Sequence, residues 1–419
     1  MQNFAKSQHF LFKIEENYTK FIDKLLQKVY IISYKNKQEV VKMKKIVVLM
    51  LAVVMIVMSF AACGNGKNAS SYTADNKEFF IGATGPLTGD ASAYGNSVKD
   101  GAELAIDEIN AAGGLNGVKF KFDIKDDKAT AADAAVGYDT LFEAGMNLSI
   151  GSVTSGSCDS FASKADDDHL FFITPSASAA NVIENRDTAF RVCFGDPDQG
   201  TLAAEELTKD YKKIGAIYDT SDPYSSGIFK AFDDEMKKLG VEYSVQSFDA
   251  ENKKDFTTQV EALKDCDVIF LPIYYTEAGL IAKACTAKGC EALLFGCDGL
   301  DGVKDQIDSS VKNTIKYITP FDVSSTNEKT KKFVDAYKAK YGKDPDQFAA
   351  DGYDAVMTIY EALKKANVSD PTLSVSDMAD TVIEALTASD FKLDGATGEM
   401  TWDKTGACKK VPQIVTLEN

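Results

Sequence analysis

From about residue 79 onward, short apolar runs alternate with longer stretches in which apolar residues return every three or four positions. The runs at 79–81, 119–124, 148–150, 170–173, 214–218, 268–271, 293–295 and 315–319 read as strands. The stretches at 131–144, 200–211, 226–239, 256–263 and 277–288 carry a helical period, and 327–386 is mostly helical, with Phe333, Ala336, Tyr337 and Tyr341 spaced as core residues. The first unit sets the pattern. After the strand at 79–81 comes a turn bearing Gly82, Gly85 and Gly89, then a helix whose face is Val98, Ala102, Ala105, Ile106 and Ile109, ended by Gly113 and Gly114. Repeated strand–helix alternation predicts an α/β fold with doubly wound parallel sheets. Residues 78–419 are too many for one small core and hold no 20-residue apolar run, so two globular domains are expected.

The chain ahead of this region has a different grammar. Residues 43–62 open with Lys44 and Lys45, continue through an apolar core and close on Ala61 and Ala62 before Cys63, the layout of an export signal. A cysteine at that place makes the segment resemble a lipoprotein signal, with Cys63 as the lipidated first residue of the mature chain and 63–77 as a flexible tether. The alternative is a transmembrane helix, because the apolar run is near the lower length limit for spanning. Met43 with two following lysines reads as an initiator, which makes 1–42 an extension called too early at the N-terminus; otherwise it is a cytoplasmic tail.

Charge sharpens the picture. The 10 lysines and 4 acids of residues 1–62 carry +6 of a total of −17, which leaves −23 on the remainder. So acidic a surface repels phosphate backbones and anionic head groups, so no nucleic acid is expected as a partner, and membrane association would come from the lipid. Seven cysteines follow Cys63, an odd number with no CxxC spacing, and the sequence does not choose between pairing and reduction. Past the leader there is a single histidine, His169, and neither a GxSxG elbow nor a phosphate loop. Asp166, Asp167 and Asp168 point in different directions at a helix end and read as solvated, so no metal and no cofactor are expected. The chain does not read as an enzyme.

Several ordered blocks carry a resemblance: GPLTGDASAYG with GAELAIDEINAAGG (85–114), GSVTSG (151–156), ITPSAS (173–178), FRVCFGDPDQG (190–200), Tyr274-Tyr275-Thr276-Glu277, FVDAYKAKYGKDPDQFAADGYDAV (333–356) and TGEMTWDKTG (397–406). Together they resemble the extracellular solute-binding proteins of branched-chain amino-acid ABC transporters. The resemblance implies two Rossmann-like lobes joined by a hinge of three crossings, the type I periplasmic-binding-protein fold. Crossings are expected near 194–196, 321–323 and 393–398, which gives lobe 1 as 78–194 plus 323–395 and lobe 2 as 195–322 plus 396–419.

A carboxylate held away from water needs hydroxyls and helix N-terminal amides, and Ser155, Gly156, Ala177 and Ser178 follow strands where the resemblance places the cleft. An ammonium needs a buried carboxylate, and Asp298 falls where the family has an acidic contact, often the longer glutamate. Tyr94, Tyr224, Tyr274 and Tyr275 match cleft-lining positions, although adjacent residues leaving a strand point apart and one of the last pair should face the core. The expected function is capture of an amino acid, branched-chain or otherwise apolar, by a monomeric extracytoplasmic lipoprotein anchored to the cell membrane that delivers it to ABC permease and ATPase subunits. The alternatives are a receptor for a short amide, urea or aromatic acid, or a ligand-sensing module.

Overall fold

A computed structural model describes residues 77–417. The signal segment, Cys63 and most of the tether lie outside the described residues.

The strand–turn–helix pattern builds the first sheet. Strands β1 (Phe79–Gly85), β2 (Phe120–Asp126), β3 (Leu148–Ser152), β4 (Phe172–Thr174) and β5 (Ala189–Arg191) pair in the order β2-β1-β3-β4-β5, all parallel. Helices α1 (Ser92–Ala111), α2 (Ala131–Glu143) and α3 (Ser155–Asp168) make the crossovers. Every residue of β1 and β3 is buried, as strands covered by helices on both faces require.

The chain then passes into a second unit of the same kind. Helix α4 (Asp196–Asp210), β6 (Ile214–Asp219), α5 (Pro223–Leu239), β7 (Ser244–Phe248), α6 (Thr257–Leu263), β8 (Val268–Leu271), α7 (Tyr275–Lys288), β9 (Leu293–Gly296) and β10 (Ile315–Thr319) follow one another. After β10 come α8 (Glu328–Tyr341), α9 (Gln347–Lys365), α10 (Val375–Leu386), β11 (Leu393–Gly395), β12 (Gly398–Trp402), β13 (Cys408–Lys409) and β14 (Gln413–Thr416). The second sheet runs β14-β10-β9-β8-β6-β7, parallel except for the antiparallel edge strand β14.

Helix α9 returns to the first lobe and lies along α1 at very short range. A Cβ on Gly101 would fall 1.9 Å from the Ala349 oxygen, and one on Gly352 would fall 2.5 Å from the Val98 oxygen. Only glycine lets these two backbones approach so closely.

The third crossing differs from the expectation. Residues 395–398 close the β11–β12 hairpin, with Gly395 paired to Gly398 and Asp354 accepting from Ala396 N at 2.7 Å and Thr397 N at 2.9 Å. The chain beyond still lies on the first lobe, because Trp402 Nε1 donates to Arg191 O at 2.7 Å and Arg191 N to Gly406 O at 3.1 Å. Passage to the second sheet comes at 410–412, immediately before β14, so 396–409 pack with the first lobe and not the second. A Gly-Ala-Thr-Gly stretch serves a hairpin turn as readily as a linker, and the buried carboxylate of Asp354 selects the turn.

The crossings are tied down by buried charge. Lys410 in the third, its side chain fully buried, lies 3.2 Å from Asp351 Oδ1 and donates to Thr397 Oγ1 at 2.7 Å. Arg191, at the end of β5 before the first, donates through Nη1 to Ser178 O and through Nη2 to Ala179 O at 2.9 Å.

Candidate functional site

In sheets wound this way, the loops at the carboxyl ends of the strands face the crevice, and here the loops after β1, β3, β4, β8 and β9 meet at one small cavity. Its walls are Tyr94, Ser155, Tyr224, Tyr274 and Asp298, together with Val153, Thr154, Ser176, Gly299 and Phe348.

One end of the cavity is rich in hydroxyls. Thr154 occupies the N-cap position of α3, yet its side chain does not cap, and its buried Oγ1 has no partner. Ser155 follows in the first turn, where backbone amides lack intrahelical acceptors and the helix dipole favours negative charge. Its Oγ accepts from Ala179 N at 3.2 Å, so Ser155 joins the two loops of the first lobe. Ser176 Oγ donates to Val153 O at 2.7 Å, which fixes the second loop against the first.

The other end is acidic. Asp298 follows β9 and is 5% exposed. Its Oδ1 accepts from Tyr224 Oη at 2.7 Å and from Gly299 N at 3.0 Å, while its own N–H donates to Gln199 Oε1 at 3.0 Å. Burial pushes its carboxyl up to about 6, against the opposing pull of the Tyr224 and Gln199 hydrogen bonds.

Aromatic rings close the space between. Tyr274 stacks on Tyr224 with centroids 4.9 Å apart and meets Tyr94 edge-on at 5.6 Å, while Tyr94 lies over Phe348 at 4.1 Å. Tyr94 comes from the first lobe, and its hydroxyl donates to Gly299 O and accepts from Tyr275 N at 3.1 Å in the second. Gln347 at the start of α9 adds a further link, donating through Nε2 to Asp298 O at 2.6 Å.

Five of the residues expected from sequence therefore share the cavity: Tyr94, Ser155, Tyr224, Tyr274 and Asp298. The pair left open resolves. Tyr274 faces the cavity, whereas Tyr275 packs into the core, its hydroxyl accepting from Ala93 N at 3.3 Å. Gly156 lines an outer groove beside Lys253 and Glu277, with Pro223 3.7 Å from the place a Cβ would take. Ala177 turns into the first lobe's core with Phe161, Phe172 and Val182, and its N–H is engaged by Thr174 Oγ1 at 3.0 Å. Ser176 takes the cavity-facing place instead. Ser178 is fully buried beside Asp196, and neither its hydroxyl nor the Asp196 carboxylate has a well-formed hydrogen bond.

Val153, Thr154, Ser176, Gly299 and Phe348 escaped the sequence reading, as did Asp196. Phe348 lies within the 333–356 block, where nothing local marks one aromatic as facing a cavity. Asp196 stands next to Pro197 at the start of α4, where an acid normally signals only helix-dipole compensation. Its depth is what marks it: 1% exposed, and held well above the usual carboxylate range by burial and by the field of Asp298.

A hydroxyl-rich helix N-terminus from the first lobe, a buried acid from the second and the apolar side chains of Val153 and Phe348 in one lining suit a small zwitterion with an apolar side chain. Among the described residues no helix is long and apolar enough to cross a membrane, and no group of three or more histidines, cysteines and acids is placed to hold a metal.

A family profile described as "Periplasmic binding protein" matches residues 78–410. The leucine-, isoleucine-, valine-, threonine- and alanine-binding protein of Pseudomonas aeruginosa is 27% identical over 344 residues, 81% of this chain and 90% of that protein. Among solved structures, a leucine-binding protein from Thermotoga maritima superposes with a TM-score of 0.73 at 25% identity, covering 81% of this chain and 95% of its own. The substrate-binding protein of a branched-chain amino-acid transporter from Streptococcus pneumoniae, in complex with isoleucine, superposes with a TM-score of 0.70 at 28% identity, covering 81% of this chain and 100% of its own.

Proposed function

Because this chain belongs to the periplasmic binding protein family, matched over residues 78–410, we propose that it is the extracytoplasmic receptor of an ABC importer, that it captures an apolar, branched-chain L-amino acid between its lobes, and that it delivers the cargo to the permease. The observation that carries the reading is the make-up of the cavity: Ser155 and the α3 N-terminus from the first lobe and Asp298 from the second share its lining with Val153 and Phe348. The relatives named for leucine, isoleucine and valine support the same ligand class.

In this reading Ser155, Thr154 and Ser176 receive the carboxylate, and Asp298 receives the ammonium. Tyr94, Tyr224 and Tyr274 form the lid. Closure works by population shift, because the joined lobes contact both ends of the ligand and separated lobes contact only one. Tyr94 and Gln347 already supply protein–protein hydrogen bonds across the junction, so the ligand need contribute only the remainder. We also assign Cys63 as the lipid anchor and 63–77 as its tether, with the protein acting as a monomer. A Cys63→Ala chain is expected in the soluble fraction of the producing cell, and retention in the membrane would favour a transmembrane segment instead.

A second reading has one observation in its favour. Four rings, Tyr94, Tyr224, Tyr274 and Phe348, line the cavity, which would suit an aromatic acid. A thermal-shift screen of protein freed of carried-over ligand by unfolding and refolding separates the two. A ligand at one hundred times its Kd adds about 2.7 kcal/mol. A rise of the midpoint with leucine, isoleucine or valine supports the amino-acid reading. A rise with aromatic acids or amides alone moves the ligand class and removes the ammonium role of Asp298.

A further inference from the structure

The seven described cysteines are unpaired, and two of them differ from the rest in their setting. Helix α7 ends in a turn that folds its last residues back on themselves. Gly289 takes φ 66°, in the left-handed region, and Cys290 N donates to Cys285 O at 2.9 Å. A helix end of this shape brings the side chain just past the turn against the one five residues earlier. Here those side chains are two thiols, both buried, and each shifts the ionisation of the other.

We propose that Cys285 and Cys290 are a redox-active pair that closes into an intramolecular disulfide by exchange with a low-molecular-weight disulfide, leaving the other described cysteines reduced. Extracytoplasmic compartments, where this family works, are where disulfides form and persist.

The chemistry balances without further reagents. The Cys290 thiolate attacks one sulfur of the small disulfide, forming a mixed disulfide and expelling one small thiolate, which takes up a proton. Cys285 then loses its proton and attacks Cys290 Sγ, the mixed bond breaks and the second small thiol leaves. Two protein thiols are oxidised and one small disulfide is reduced to two thiols. The neighbouring Cys285 lowers the Cys290 thiol while its own is raised, so Cys290 is the readier nucleophile of the pair. Burial pushes the Cys158, Cys193, Cys297 and Cys408 thiols up, which leaves them poor nucleophiles. Both sulfurs of the pair are buried, but residues 286–289 between them are all exposed, so fraying of this one helix end uncovers them without opening the lobe. Cys266, half-buried and next to Cys290, is the only competing partner the geometry offers among the described residues.

The test is incubation of the native protein with oxidised glutathione, followed by intact mass and peptide mapping. The expected result is a loss of two hydrogens and a single cross-linked peptide joining 285 to 290. Cys285→Ser and Cys285→Ala should instead accumulate a glutathione adduct on Cys290, and Cys290→Ser should acquire neither link nor adduct. A link between 266 and 290, adducts spread over the other cysteines, or an unmodified native protein would overturn the proposal.

Discussion

The Tyr224 hydroxyl donates to Asp298 Oδ1 at 2.7 Å, and Gly299 N donates to the same oxygen at 3.0 Å, so one oxygen of the buried acid is held by its own lobe. In the proposed reading this carboxylate receives the ligand's ammonium. Held in this way, the short side chain is fixed rather than searching.

Replacing Asp298 by Asn keeps an acceptor for Tyr224 and removes the charge. Loss of one partner of a buried, hydrogen-bonded charge pair costs about 2–5 kcal/mol, so leucine affinity should fall at least about thirtyfold. Circular dichroism should be unchanged. Titration calorimetry on the two proteins checks this.

Burial raises the Asp298 carboxyl to about 6 from an ordinary value near 4. Because the folded protein holds this proton more tightly, its contribution to stability declines as pH rises from about 4 to about 6 and is then constant. Binding runs the other way, since the ammonium needs the ionised form: affinity should be flat above about pH 6 and fall below it. Asp298→Asn should bind weakly at every pH with that step removed, which separates Asp298 from Asp222, also raised to about 6.

Tyr94→Phe preserves the ring contacts with Phe348 and Tyr274 and removes two bonds between lobes, to Gly299 O and from Tyr275 N. At about 0.5–1.5 kcal/mol each, affinity should drop about tenfold. The loss should appear in the dissociation rate, measured by stopped-flow fluorescence, because the bonds form only once the lobes have met.

Lys410→Met leaves Asp351 and Asp354 buried without their cation. Breaking a buried pair in this way costs about 3–5 kcal/mol, and the melting temperature should fall by about 5 °C or more. Pairing it with Asp351→Leu should recover much of the loss, as exchange of a buried ion pair for packed apolar groups generally does. Calorimetric melting of both variants reads the difference.

Gly352→Val should be among the most disruptive single changes in the first lobe, because its Cβ would stand 2.5 Å from the Val98 oxygen and backbone cannot yield as a side chain can. Overpacking costs about 1–3 kcal/mol or more. A lowered denaturant midpoint at unchanged slope is the expected readout.

Most of the sheet-forming runs were legible because buried parallel strands are nearly continuous apolar stretches, as β1, β3 and β8 show. The strands that escaped are of another kind. β7 is a largely exposed edge strand, β5 is a three-residue piece whose register is set by pairing with β4, and β11 to β14 are strands of two to five residues without a continuous apolar run. Tyr94, Ser155 and Tyr274 lie in the blocks that carry the resemblance, Tyr224 and Asp298 outside them, and all five line the cavity. Ser176 and Ala177 were exchanged, since neighbours in a loop carry no period to say which faces inward; the bond from Ala177 N to Thr174 Oγ1 decides it. Asp196 was hidden by its helix-start position, because burial at a lobe junction is a property of the assembled fold and leaves no local trace in sequence.

The central claim is that the cavity recognises both charges of an α-amino acid, and calorimetric titration with L-leucine and with its deaminated analogue, 4-methylpentanoate, tests it most directly. The account predicts that leucine binds one-to-one and that the analogue, which leaves Asp298 buried without a cation, binds at least about thirtyfold more weakly. Equal affinity for the two, or tighter binding of the analogue, would contradict it.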